Sequence, residues 1–206
     1  RVGMKFTTET LRIAVSAWCS DKERAFEAYG DISGWDTSEV TDMSCLFSDD
    51  CEGGRLEGWT GKYCDTVDHF NEDISKWDVS NSKSFYRTFK GASSFDGDVS
   101  AWNVARSENF DGTFMFASSF TGDVSAWNVA KSTSFAATFY KASLFDGDVS
   151  KWNVSQSLDF TTMFYYASSF SGDLSSWDVS KAKSFMAMFT FALKFDSDVS
   201  AWEVGE

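Results

Sequence analysis

Phe95-Asp96-Gly97-Asp98-Val99-Ser100-Ala101-Trp102-Asn103-Val104 returns with small changes at Phe120, Phe145 and Phe170, and precedes itself at Phe70. The step is 25 residues, and Phe195 keeps it as well. Trp77, Trp102, Trp127, Trp152, Trp177 and Trp202 run at the same interval. A period in this range marks a repeat protein, whose units bury their apolar faces only against their neighbours. Function in such a chain belongs to a repeated surface more than to one pocket.

Within the unit, Val99, Trp102 and Val104 have the spacing of a leucine-rich-repeat strand. Ile74/Trp77/Val79, Val124/Trp127/Val129, Val149/Trp152/Val154 and Leu174/Trp177/Val179 repeat it. Phe110, Phe114 and Ala117 follow at i, i+4 and i+7, which predicts a short helix capped by Ser107 or Asn109. The expected fold is an α/β solenoid. It would be a leucine-rich-repeat-like stack of 25-residue strand–helix units with a parallel sheet and a helical N-terminal cap.

The units set the domain reading. Residues 1–30 do not repeat. Leu11, Ala14, Val15 and Trp18 share one helical face, and Asp21 to Tyr29 reads as a second helix stopped by Gly30. Such a segment covers the first edge of a repeat stack. Residues 31–69 form an interrupted first repeat. Trp35-Asp36-Thr37-Ser38 matches Trp77-Asp78-Val79-Ser80 at an offset of 42, which is 25 plus an insertion of 17. The insertion follows Phe47 and carries Cys51, Gly53, Gly54, Gly58, Gly61 and Cys64, a loop composition. Residues 70–206 hold five full repeats and a truncated sixth.

Four cysteines lie in the N-terminal third: Cys19, Cys45, Cys51 and Cys64. An even number in a Ser/Thr/Asn/Asp-rich chain points to disulfides and an oxidising compartment. Three pairings are possible. The one with the least chain excursion closes the insertion through Cys51 and Cys64 and ties the cap to the first repeat through Cys19 and Cys45. The chain opens on Arg1, as a mature form or a piece of a longer protein would.

Charge excludes several partners. The 206 residues carry a net charge of −13, from 31 acidic and 18 basic side chains. Nucleic acid is disfavoured, and anionic membranes for the same reason. No run of 18 apolar residues is present, so no membrane insertion is expected.

Phe70-Asn71-Glu72-Asp73-Ile74-Ser75-Lys76-Trp77-Asp78-Val79-Ser80-Asn81 resembles the repeats of BspA-like surface proteins. Val40-Thr41-Asp42-Met43 is similar to the segment that opens that family's helix. The resemblance covers about residues 31–206. It implies a secreted or cell-surface protein with an adhesive or structural role and no catalytic residues.

Two side-chain rows follow from the register. Asp78, Asn103, Asn128, Asn153 and Asp178 fall on the concave face of the expected sheet. They are the candidate binding row, for a glycan or an extracellular protein. Asp73, Asp98, Asp123, Asp148, Asp173 and Asp198 form a second ladder. Like charges at strand spacing repel by only about 1 kcal/mol in water, so these side chains are expected to cap turns. No cofactor or metal is expected. His69 stands alone, without a nucleophile or a second histidine. Asn153-Val154-Ser155 is the one N-glycosylation sequon. At the far end, Trp202-Glu203-Val204-Gly205-Glu206 stops half a unit in. The expectation is a non-enzymatic extracellular protein, self-assembling head-to-tail between that end and the N-terminal cap.

Overall fold

The computed structural model describes residues 4–48, 51, 64 and 66–204. Most of the insertion after Phe47 therefore lies outside the described residues, including Asp49, Asp50, Glu52 and Asp65.

The cap is built as its sequence requires. Strand β1 (Lys5–Thr7) leads directly into helix α1 (Thr8–Ser20). Thr7 caps α1, accepting from the Thr10 N–H while the Thr10 hydroxyl accepts from the Thr7 N–H. Leu11, Ala14, Val15 and Trp18 form its buried face. Helix α2 (Lys22–Tyr29) follows, with Asp21 as N-cap and Gly30 as its stop at φ 79°. Strand β2 (Asp36–Glu39) runs parallel to β1, pairing Lys5 with Asp36 and Thr7 with Glu39. Strand β1 is thus paired within its own chain, with Phe6 buried under Trp35.

The repeats do not form strand–helix units, and the stack expected on that basis is overturned. Among the described residues the only helices of two or more turns are α1 and α2, and the only sheet is β1–β2. Between neighbouring repeats only single-residue parallel bridges occur, Ser84–Asn109, Asn109–Ser134, Ser134–Asp159 and Asp159–Ser184. Each unit is a succession of tight turns. In one unit Trp102 N–H bonds to Val99 O, Ser107 to Val104, Thr113 to Phe110, Ala117 to Phe114 and Phe120 to Ala117.

The physical reasons are local. The expected strand fails because Asp98 and Asn103 turn their Oδ1 atoms onto the N–H groups of Ser100 and Ala105. An Asx side chain that captures the backbone two residues on competes with a strand ladder. The expected helix fails because alternate N–H groups leave the segment. Phe110, Gly112, Phe114 and Phe116 donate to Ser134, Ala136, Thr138 and Tyr140 of the next unit at 2.8–3.3 Å. Gly112 and Phe116 also adopt left-handed φ of 60° and 63°, which no α-helix accommodates.

The apolar positions are nonetheless those that the spacing singled out. Val99, Trp102, Val104, Phe110, Phe114 and Ala117 are buried. Phe89, Phe114, Phe139, Phe164 and Phe189 stack nearly parallel, with centroids 5.4–5.9 Å apart. Each of these rings also stacks on the phenylalanine six residues further on, as Phe114 does on Phe120 at 4.0 Å. Trp102, Trp127, Trp152, Trp177 and Trp202 each donate the indole N–H to a carbonyl in the preceding unit at 3.0–3.2 Å. A buried ring with a satisfied polar handle joins neighbours by both packing and hydrogen bonding. The glycine of Phe-x-Gly serves this packing, because a Cβ on Gly97 would stand 2.7 Å from the Phe95 ring.

The carbonyls of Asn109, Asp111, Thr113 and Met115 accept from the unit before, and equivalent carbonyls in the next units do the same. At the first unit they meet α1 instead. Buried Arg12 donates to the carbonyl of Ser44 and to the Asp42 carboxylate. One guanidinium therefore replaces part of a missing neighbour's donor row, which its fork of donors suits.

Candidate functional site

The candidate row is exposed and in register, but its side chains are engaged. Asp78, Asn103, Asn128, Asn153 and Asp178 each use Oδ1 to accept the N–H two residues on, at 3.0–3.2 Å. They belong to turns and not to the face of a sheet. Asn153, within its sequon, lies exposed in such a turn and also accepts from the Ser155 hydroxyl at 2.8 Å.

The second ladder is a turn-capping ladder. Asp73, Asp98, Asp123, Asp148, Asp173 and Asp198 accept the N–H of Ser75, Ser100, Ser125, Ser150, Ser175 and Ser200 at 2.8–3.0 Å. The serine hydroxyl and then the backbone N–H hold Asp73, Asp98, Asp148 and Asp198 below the usual carboxylate range. For Asp123 the backbone bond leads, and repulsion from Asp148 and Asp98 is the weaker influence. Hydrogen bonding to the charged form outweighs like-charge repulsion at this exposure.

Asp111 shows the opposite behaviour. Burial pushes its carboxyl above the usual range, against the Ser134 hydroxyl and the Ala136 N–H that favour the charged form. Among the described residues no group of three or more His, Cys, Asp or Glu stands close enough to hold a metal ion. His69 is exposed and meets Asp68 at 3.5 Å.

The cysteines pair differently from the shortest-excursion expectation. The disulfides are Cys19–Cys64 and Cys45–Cys51, not Cys51–Cys64 and Cys19–Cys45. Cys19 sits at the end of α1, where the Thr66 hydroxyl donates to its carbonyl at 3.0 Å. That contact brings the chain around Cys64 to the helix. Cys45 occupies a left-handed turn of the first unit, bonded to Tyr86 O, and closes onto its near neighbour instead. The cap is therefore tied to the exit of the insertion across 45 residues of chain.

A second exposed face carries the side chains that the sequence reading passed over. Gly91, Phe116, Lys141, Tyr166 and Phe191 fall one unit apart, and all five have left-handed φ between 55° and 81°. Tyr140 and Tyr165 stack beside them at 4.9 Å. Phe116 stands across Tyr140, and Phe191 across Tyr165, at interplanar angles of 72° and 89°. The available signal was variation. The inward positions repeat one residue, whereas this position changes in almost every unit.

The fold and its exposed rows define a repeat protein of stacked, turn-built units under a helical cap. The family described as Mycoplasma protein of unknown function, DUF285, matches residues 20–144 and again 123–206. The chain belongs to that family. No curated protein and no solved structure matches the chain. Among the described residues no helix is long and apolar enough to cross a membrane.

Proposed function

We propose that this chain is a secreted or cell-surface repeat protein with a non-enzymatic, structural or adhesive role, of the kind its BspA-like repeats imply. The observation that carries the reading is the use made of the polar side chains. The Asp and Asn of each repeat are spent on their own turns, and the large aromatic side chains of the core join one unit to the next. Two disulfides support an oxidising, extracellular setting. Self-association between the Trp202 end and the helical cap is the assembly mode of this reading. Met186 and Leu193 are exposed in the segment before Trp202, and Ile13 and Phe26 are exposed on the cap. Arg12 already occupies the Ser44 and Asp42 carbonyls of the first unit, so such a contact relies on side chains there.

Sedimentation velocity and electron microscopy of the oxidised chain over a concentration series test the assembly. Oligomers that grow with concentration and are lost in Phe26→Asp support it. A single monomeric species at the highest concentration overturns it. The second reading is a discrete recognition module, which the aromatic face supports, since a solvated scaffold has no need of exposed rings held in strained turns.

A further inference from the structure

The face formed by segments 86–94, 111–119, 136–144, 161–169 and 186–194 differs in charge from the rest of the chain. Its exposed charged side chains are Lys141 and Lys194, while Arg87 and Asp111 are half-buried and Lys90 is buried. Both of those exposed charges are positive, in a chain whose net charge is −13. Lys141 stands among the exposed rings. Phe116, Tyr166 and Phe191 are 36%, 41% and 50% exposed. The Lys141 Nζ lies 5.2, 5.6 and 5.8 Å from the centroids of Phe116, Tyr140 and Tyr166. No ion pair to a carboxylate forms at Lys141 among the described residues.

These side chains are displayed against a conformational cost. A bulky residue with left-handed φ is rare, and strained backbone concentrates where a ligand is held. Gly91 shows that this position accepts the residue without strain. Phe116, Lys141, Tyr166 and Phe191 nevertheless occupy it in the four following units. The rings and the ammonium share a single patch that crosses the units in register.

We propose that Phe116, Tyr140, Lys141, Tyr165, Tyr166 and Phe191 form a docking platform for an acidic polysaccharide. Its monomers present an apolar C–H face and a carboxylate side by side. The rings pack against the first, as amphipathic aromatic side chains do, and Lys141 pairs with the second. Charge complementarity selects this occupant. A neutral glycan leaves the ammonium unmatched. A second copy brings its own charge of −13 to the contact, and single-stranded nucleic acid is the competing polyanion that the test below includes. The platform is separate from the Asp78–Asp178 row, and it stands whether or not the chain assembles.

The test is retention of the oxidised chain on immobilised polygalacturonate, with its methyl ester, dextran and oligothymidylate alongside. Wild type is expected to bind polygalacturonate with salt-sensitive affinity, and to bind the methyl ester and dextran about tenfold more weakly or less. Lys141→Gly is expected to lose about tenfold in affinity, and Tyr166→Ser with Phe191→Ser a similar factor, equivalent to a modest hot spot. The melting temperature of Lys141→Gly should hold or rise, which separates lost binding from lost folding. Asn103→Arg with Asn128→Arg should leave binding unchanged or stronger. Absence of wild-type retention overturns the platform. So do equal retention on the methyl ester, tighter binding of oligothymidylate, and full binding by Lys141→Gly.

Discussion

The buried rings and the exposed rings keep one 25-residue register and follow opposite rules. Phe89, Phe114, Phe139 and Phe164 are identical and fully buried. Gly91, Phe116, Lys141, Tyr166 and Phe191, two residues further along, form a register with four residue types among five positions. Inside, each ring is the wall of its neighbour's site, so a change in one unit opens a void in two. Outside, the backbone conformation is imposed by the stack while the side chain faces water. The stack tolerates strain there without requiring any particular side chain. Stability therefore resides in the repeated residue, and the varied one is the proposed site of recognition.

Truncation tests that division most severely. Phe114→Ala should destabilise the chain by about 3–5 kcal/mol, as other buried Phe→Ala changes do, read by chemical denaturation. Phe116→Ala should cost far less. Equal losses would break the comparison. Buried Thr113 is the next largest effect. Its hydroxyl lies 2.9 Å from Phe85 O in the previous unit and 2.7 Å from Phe110 O. Thr113→Val keeps the shape and removes the donor, so a loss of about 1–2 kcal/mol is expected. No loss would mean that the rings alone join the units.

A smaller effect of opposite sign probes the strained turns. Ala137 has φ 54° and no ring to lose. Ala137→Gly should gain roughly 1 kcal/mol by relieving the left-handed strain, measured by thermal unfolding. A destabilised variant would show that the turn is not strained.

Acid gives the smallest single-site differences. The capping aspartates have folded values below the ordinary 3.8. Their contribution is present above that value and is lost as pH falls through the depressed folded values. Asp111 has a raised folded value. Its charge destabilises the fold above that raised value and is neutral below 3.8. Asp111→Asn should therefore raise the melting temperature at neutral pH, and the gain should vanish in acid. A gain that persists below pH 3.8 would remove charge burial as the cause.

Much of the core was legible before any coordinates. Spacing alone places Trp77, Val79, Phe110, Phe114 and Ala117 inside, and they are buried. The α1 and α2 faces and the Asp21 and Gly30 signals were equally plain. The secondary structure of the repeat was not. Apolar spacing reports which side chains turn inward, and a run of turns can satisfy the same spacing as a strand and a helix. Asp98 and Asn103, read as ladder and binding residues, were also the signal that the strand is interrupted. The cysteine pairing depended on where α1 lies over the first unit, which chain separation does not encode.

By itself the sequence determined the unit length, the inward residues, the helical cap and the acidic character, because each is a periodicity or a count. The tertiary structure alone decided three further things. It routes alternate N–H groups to the next unit, which replaces helices with turns. It joins Cys19 to Cys64. It gathers Phe116, Lys141, Tyr166 and Phe191 into one exposed patch. All three depend on contacts between residues one or more units apart in the chain, and those exist only once the units are stacked.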